Sequence, residues 1–182
     1  MNVDTAAMDD VAALVDMRLQ FLREDMGGLD ALAEEAIRRA LPGYFRAHLG
    51  RDLFAYVIRE GRSIVSCAFL LIVEKPMSPA FPNGKTGMVL NVYTRPSHRR
   101  RGFAGRIMAV LTDAARAMDL SAIELKATED GYPLYCKAGF HDDRSFRVEM
   151  VSDFPKRRGR EANTMFEFKS EIRCRTYAVL ST

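Results

Sequence analysis

Apolar residues return every three or four positions from Met8 to Arg23. Met8, Val11, Val15, Leu19 and Leu22 make one stripe, and Leu14, Met17 and Phe21 a second beside it, so this stretch predicts a helix packed on two sides. Gly27-Gly28 ends it. Leu29 to Ala40 predicts a second amphipathic helix, with Leu29, Leu32, Ala36 and Ile37 inward and Glu34, Glu35, Arg38 and Arg39 outward. Pro42 ends that helix or starts a short one through Tyr44, Phe45 and Leu49. The period then shortens to that of a strand. Leu53 to Arg59 alternates, Glu60-Gly61-Arg62 is a turn, and Ser63 to Glu74 is a long apolar run, which together predict a β-hairpin. Ahead of the first helix, Asn2 to Thr5 is either a short opening strand or an unpaired tail.

Three prolines and Asn83-Gly84 mark Lys75 to Lys85 as a loop. In the stretch Met88 to Met118, Val89, Leu90, Val92 and Tyr93 predict a strand. Pro96 ends it, because proline cannot donate to a sheet ladder. Phe103, Ile107, Leu111, Ala114 and Met118 then predict a helix with one buried face. Ala122 to Ala127 alternates again. A strand, a crossover helix and a strand make a βαβ unit whose strands run parallel. Pro133 and Gly139 frame a short helix over Gly131 to Ala138, and Phe140, Phe146, Val148 and Met150 predict a last strand. In 151–182, Lys156 to Arg160 reads as a basic turn, while Met165 to Lys169 and Ile172 to Val179 have strand-like content. That segment completes the sheet, exchanges with a partner chain, or forms a tail; the sequence leaves all three open.

The candidate chemistry lies between the strand and the helix of the βαβ unit, at Arg99-Arg100-Arg101-Gly102-Phe103-Ala104-Gly105. A glycine-containing turn at a helix start presents unpaired backbone N–H groups and the positive end of the helix dipole, which suits phosphate. Three arginines strengthen the case for an anion. The net charge of +3 is too small to argue for nucleic acid or a membrane surface, and no exposed aromatics interleave with residues 99–101. Cys67, Cys136 and Cys174 form no close pair, which fits a reducing compartment and argues against a disulfide framework. His48, His98 and His141 are far apart, so no metal is expected. The N-terminus lacks a basic region and carries Asp4, Asp9 and Asp10, and the longest apolar run, Ile64 to Val73, is too short to cross a bilayer. A cytoplasmic protein without a membrane segment is expected.

Arg99-Arg100-Arg101-Gly102-Phe103-Ala104 matches the Q/R-x-x-G-x-G/A signature of the GCN5-related N-acetyltransferases, the GNAT family. The preceding strand, Leu90 to Pro96, is similar to that family's strand-to-proline run. About thirty residues further on, Leu134-Tyr135-Cys136-Lys137-Ala138-Gly139-Phe140 resembles its second landmark, (F/L)-Y-x-x-x-G-F. The order of elements agrees as well. The resemblance covers roughly residues 1–150, read as one acetyl-CoA-binding catalytic domain, with 151–182 as a C-terminal extension.

The resemblance implies an α/β (α+β) fold with a mixed central sheet, splayed between its fourth and fifth strands and flanked by helices on both faces. Acetyl-CoA would lie in the gap, its pantetheine along Val92 and Thr94 of the fourth strand. Its pyrophosphate would lie on the turn Arg99, Arg100, Arg101, Gly102, Phe103, Ala104 and Gly105, where small residues let the backbone approach closely. The family's oxyanion donor falls on the backbone N–H of Val92 and its general acid on Tyr135; Tyr132 is the second candidate. The chain departs from the family in three places. Thr128 stands where many members carry an asparagine that bonds pantetheine, and Gly131 where they carry alanine. Asn91 and Tyr93 occupy the region of a glutamate base, which leaves Glu24, Asp25, Glu129 and Asp130 as carboxylates without an assigned role. The implied activity is acetyl transfer from acetyl-CoA to a primary amine, on a small molecule or a peptide. The alternative is a non-catalytic acyl-CoA-binding or regulatory domain of the same fold. Homodimerisation is common among the proteins the chain resembles.

Overall fold

The structure is a computed structural model that describes residues 1–142 and 176–181. The predicted hairpin is formed by β2 (Leu53–Glu60) and β3 (Ser63–Glu74), closed by Gly61-Arg62, with Gly61 in the left-handed region at φ 58°. β3 is apolar almost throughout because both sides of it are covered. Val65, Ala68 and Leu70 face one core, and Ile64, Cys67 and Phe69 face another. The first core is closed by α3 (Phe103–Ala117) through Phe103, Ile107, Met108 and Leu111. The second is closed by α1 (Val11–Asp25) and α2 (Ala31–His48), through Leu14, Met17, Leu19 and Phe45.

β1 (Val3–Thr5) pairs with β2, so the opening residues form a strand rather than a tail. β4 (Lys85–Thr94), β5 (Ala122–Ala127), β6 (His141–Asp142) and β7 (Thr176–Ser181) complete a seven-stranded sheet in the order β1-β2-β3-β4-β5-β7-β6. Among the described strands only β4 and β5 pair in parallel, as expected for strands joined by a crossover helix. α4 (Tyr132–Lys137) follows β5. The expected mixed, splayed sheet with helices on both faces is present. Of 151–182, residues 176–181 lie inside the sheet, between β5 and β6. The strand expected at Phe146, Val148 and Met150, the basic turn at 156–160, the segment 165–169 and residues 172–175 lie outside the described residues.

The splay has a local cause. β4 pairs with β5 only from Thr86–Ala122 to Val89–Leu125, although it runs on to Thr94. On its other edge, Leu90 pairs with Phe69 and Tyr93 with Cys67, so Asn91 and Val92 together face Ala68. This is a β-bulge. Asn91 takes φ 54°, a left-handed conformation that asparagine tolerates better than most residues. A bulge bends a strand and increases its twist, which carries β4 away from β5.

Two sequence expectations are corrected. α2 does not end at Pro42 but passes through it to His48. An interior proline costs about 3 kcal/mol, and burial of Phe45, one turn later, offsets much of that. Leu32 and Ala36 do not face inward: Leu32 is 83% exposed, and the helix packs instead through Ile37, Leu41 and Phe45, with Leu29 packed just ahead of it. Of the described cysteines, Cys67 is buried and Cys136 is exposed.

Candidate active site

Among the described residues, the edge of β4 that faced β5 has no partner strand beyond Val89. At its far end the chain passes through a short 3-10 turn, Pro96–His98, into the arginine stretch. Arg100 (φ 63°) and Gly102 (φ 73°) are both left-handed, a conformation that turns successive N–H groups toward one side and makes an anion-binding hollow. Gly102 immediately precedes α3, whose first-turn N–H groups have no intrahelical partner. A Cβ built at Gly102 would meet nothing within 4 Å, so the hollow is open; one at Gly105 would sit 3.6 Å from Leu134 Cδ1. The start of α3 therefore lies against α4, and α4 carries Tyr135.

Tyr135 is buried in the same core as Val92, Leu125 and Ala127, its ring edge-on to Phe140 with centroids 6.2 Å apart. Burial pushes its phenol up to about 12. It is thus a neutral proton donor at any ordinary pH. Tyr132 is half-buried and packs against this core. Thr128 is exposed, and its Oγ1 accepts from the Gly131 N–H at 3.2 Å, closing the turn into α4. A separate cavity, lined by Asp52, Glu74, Lys85 and Leu120 among others, lies at the opposite end of β3 and β4 and contains none of these residues.

On the other face of β4, α1 supplies polar groups. The Tyr93 hydroxyl donates to Glu24 Oε1 at 2.6 Å, and Arg99 bonds Glu24 Oε2. Arg99 Nε also donates to the Thr94 carbonyl at 3.0 Å, so its guanidinium ties the end of β4 to α1. Arg101 donates to the Ser97 carbonyl at 3.3 Å. Thr94 Oγ1 shares a 2.7 Å hydrogen bond with Ser66 Oγ. Burial, then the bond to Glu24 and its charge, push the Tyr93 phenol up to about 12. Burial works against the Glu24 carboxylate, but its bonds from Tyr93 and Arg99 outweigh that and hold it below the usual carboxylate range. Glu129 and Asp130 are exposed.

Two residues that carry geometry here went unassigned in the sequence. Asn91 shapes the bulge, with its amide Nδ2 donating to Cys67 Sγ at 3.4 Å. Arg18 of α1 donates from Nη1 to Asn91 Oδ1 at 3.3 Å. Its position between the fully buried Met17 and Leu19 is the signal that could have flagged it.

The chain matches the acetyltransferase (GNAT) family over residues 19–140 and belongs to that family. Among solved structures, it is similar to a predicted acetyltransferase from Clostridium acetobutylicum determined with acetyl-CoA. The identity is 27%, the match covers 82% of this chain and 96% of that one, and the TM-score is 0.73. A GCN5-related N-acetyltransferase from Ralstonia eutropha JMP134 is also 27% identical, with 83% and 99% covered and a TM-score of 0.71. The glucosamine-6-phosphate N-acetyltransferase of Arabidopsis thaliana shares the fold at 17% identity, with 83% and 98% covered and a TM-score of 0.61. No curated protein matches. Among the described residues, no helix is long and apolar enough to cross a membrane, and no cluster of three or more histidine, cysteine, aspartate or glutamate residues has the arrangement of a metal site.

Proposed function

We propose that this chain transfers an acetyl group from acetyl-CoA to a primary amine by direct attack of the amine. The observation that carries the reading is the parting of β4 from β5 after the Val89–Leu125 pair. The gap has the left-handed Gly102 turn at one end, and buried Tyr135 packs in the core that borders it. The residues fit the cosubstrate. An extended pantetheine arm can bond the unpartnered edge of β4 near Val92 and Thr94, as a strand would. The turn from Arg100 to Gly105 offers N–H groups and small residues to a pyrophosphate, with Arg100 and Arg101 at the surface beside it. Arg99 acts here through Glu24 and Thr94, fixing the end of β4 rather than reaching the phosphates. Thr128 keeps a hydroxyl proton to donate, since its bond to Gly131 uses a lone pair.

Acetyl-CoA supplies an activated acyl group and a thiolate leaving group. In this reading the Val92 N–H, in the bulge, stabilises the oxygen that gains charge. Tyr135 Oη delivers the proton to the departing sulfur. Its phenol is a weak acid for that task, so transfer depends on the thiolate's basicity and on the positive start of α3. Glu24 is a poor base, because both its oxygens are engaged and its carboxyl is held acidic. The amine is therefore drawn neutral from solution and loses its second proton to water.

The test is calorimetric titration of acetyl-CoA followed by a thiol-release assay across an amine panel. Binding with acyl transfer supports the enzyme. Binding without turnover of any amine favours a non-catalytic acyl-CoA-binding domain of the same fold.

A further inference from the structure

Arg18 differs from the other arginines around it. Arg23 bonds Glu34, Arg95 bonds Asp16, Arg99 bonds Glu24 and Arg59 bonds Asp10. Arg18 has no carboxylate within 4.0 Å among the described residues, and the bond to the neutral Asn91 amide is its single hydrogen bond there. Its guanidinium lies 5.4 Å from the centroid of the Phe21 ring. The side chain is half-buried between neighbours that are fully buried. Burial pushes its guanidinium below the usual range, and Asp25, two turns along α1, opposes this only from beyond ion-pair distance. Asn91, the Phe21 ring and the charge of Asp25 offset part of that desolvation, while the donors that Asn91 leaves unfilled stay open to solvent and so to a ligand. It stands at the bulge residue Asn91, next to the proposed oxyanion donor Val92, on the face of β4 covered by α1 and α2. Asn91 and Val92 are adjacent in the bulge, so Arg18 reaches β4 one residue from that proposed donor.

We propose that Arg18 recognises an anionic group, a carboxylate or a phosphate, on the acceptor, so that the substrate class is a small amine bearing a negative charge. This rests on the acetyltransferase reading above. The planar guanidinium matches either anion in a two-point contact. The bond to Asn91 fixes the side chain in advance, so little freedom is lost on binding. A purely structural Arg18 would serve only to hold Asn91 in its left-handed conformation, and a neutral amide does not require a cation for that.

The test uses matched amines. A panel of L-amino acids is set against the corresponding amino-acid amides for the carboxylate, and glucosamine 6-phosphate against glucosamine for the phosphate. Binding to the protein with CoA is measured by calorimetry, and turnover by thiol release with acetyl-CoA. The wild-type protein is expected to bind the anionic member of at least one pair about tenfold to hundredfold more tightly than its neutral match. The pair that responds identifies the group. Arg18→Met, which keeps an apolar stem, should collapse that ratio to near unity, and Arg18→Lys should restore part of it. A structural role would weaken both members alike and leave the ratio standing. No preference in the wild-type protein, or one that survives in Arg18→Met, overturns the proposal. Loss of the ratio in Arg18→Met without turnover of any amine would support Arg18 as the anion site and sink the enzymatic reading instead. Should Arg18→Met not fold, the Arg18→Lys ratio decides, since a lysine cannot reproduce the two-point contact.

Discussion

Glu24 and Tyr93 are 69 residues apart in the chain, yet the Tyr93 hydroxyl donates to Glu24 Oε1 at 2.6 Å. With Arg99 on the other carboxylate oxygen, this bond clamps the end of α1 onto the end of β4. It places a carboxylate beside the proposed site and at the same time removes it from use as a base. Glu24→Gln is therefore expected to keep kcat within about tenfold of wild type, whereas loss of a general base costs about a hundredfold or more. Stability should respond instead. The carboxyl is held below its ordinary value, so the clamp contributes above the unfolded carboxylate range near ~4.3 and is lost as pH falls through the depressed folded value. The exposed pair is worth less than about 1 kcal/mol. Unfolding of wild type and Glu24→Gln, followed from pH 7 toward pH 3, should converge at the acid end. A hundredfold loss of kcat in Glu24→Gln would restore Glu24 as base.

Removing the Tyr135 hydroxyl should lower kcat by about a hundredfold, while acetyl-CoA affinity changes little. Burial pushes this phenol up to about 12, so it remains protonated through pH 10. Tyr135→Phe should therefore lower the rate by the same factor from pH 7 to pH 10. The linked stability has the opposite sign to that of Glu24. It is fully present below the unfolded tyrosine value near ~10 and is lost as pH rises through about 12. A wild-type rate in Tyr135→Phe removes it from the mechanism.

Gly131 has φ −82°, open to any residue, so its glycine is kept for space rather than conformation. A Cβ there would lie 3.0 Å from Tyr135 Cε2 and 3.2 Å from Thr128 Oγ1. Gly131→Ala should press on the Tyr135 ring and lower kcat about threefold to tenfold, since small misplacements at a reacting centre are costly. The KM for acetyl-CoA should move less than kcat. An unchanged kcat would show that the ring position is not critical.

Gly102 presents the reverse case, with φ 73° and open space within 4 Å of where a Cβ would stand. Gly102→Ala is expected to lose about 1–2 kcal/mol of stability from the left-handed backbone alone, measured by urea unfolding. Gly102→Glu adds bulk and negative charge where the pyrophosphate is proposed to lie. It should weaken acetyl-CoA by more than about a hundredfold, the scale of losing several charge-assisted hydrogen bonds. Retained affinity in a folded Gly102→Glu places the cosubstrate elsewhere.

The sequence by itself determined the elements whose signals are local. The strand before Pro96, the glycine-containing turn before α3, the βαβ unit and the short helix at Tyr135 depend on period, turn chemistry and helix ends, all read within a few residues. It erred where packing outweighs local preference. Pro42 sits inside α2 because Phe45 and Leu49 bury beyond it, and Leu32 is exposed because α2 presents a different stripe to the core. Only the tertiary structure decided which side chains meet on the proposed acceptor side. Arg18 meets Asn91 across 73 residues and Glu24 meets Tyr93 across 69. No periodicity encodes either pair, since each arises where a helix crosses a strand bent by its own bulge. The proposed cosubstrate side is legible because it is built from one continuous turn, and the proposed acceptor side is not because it is built from side chains brought together by the fold.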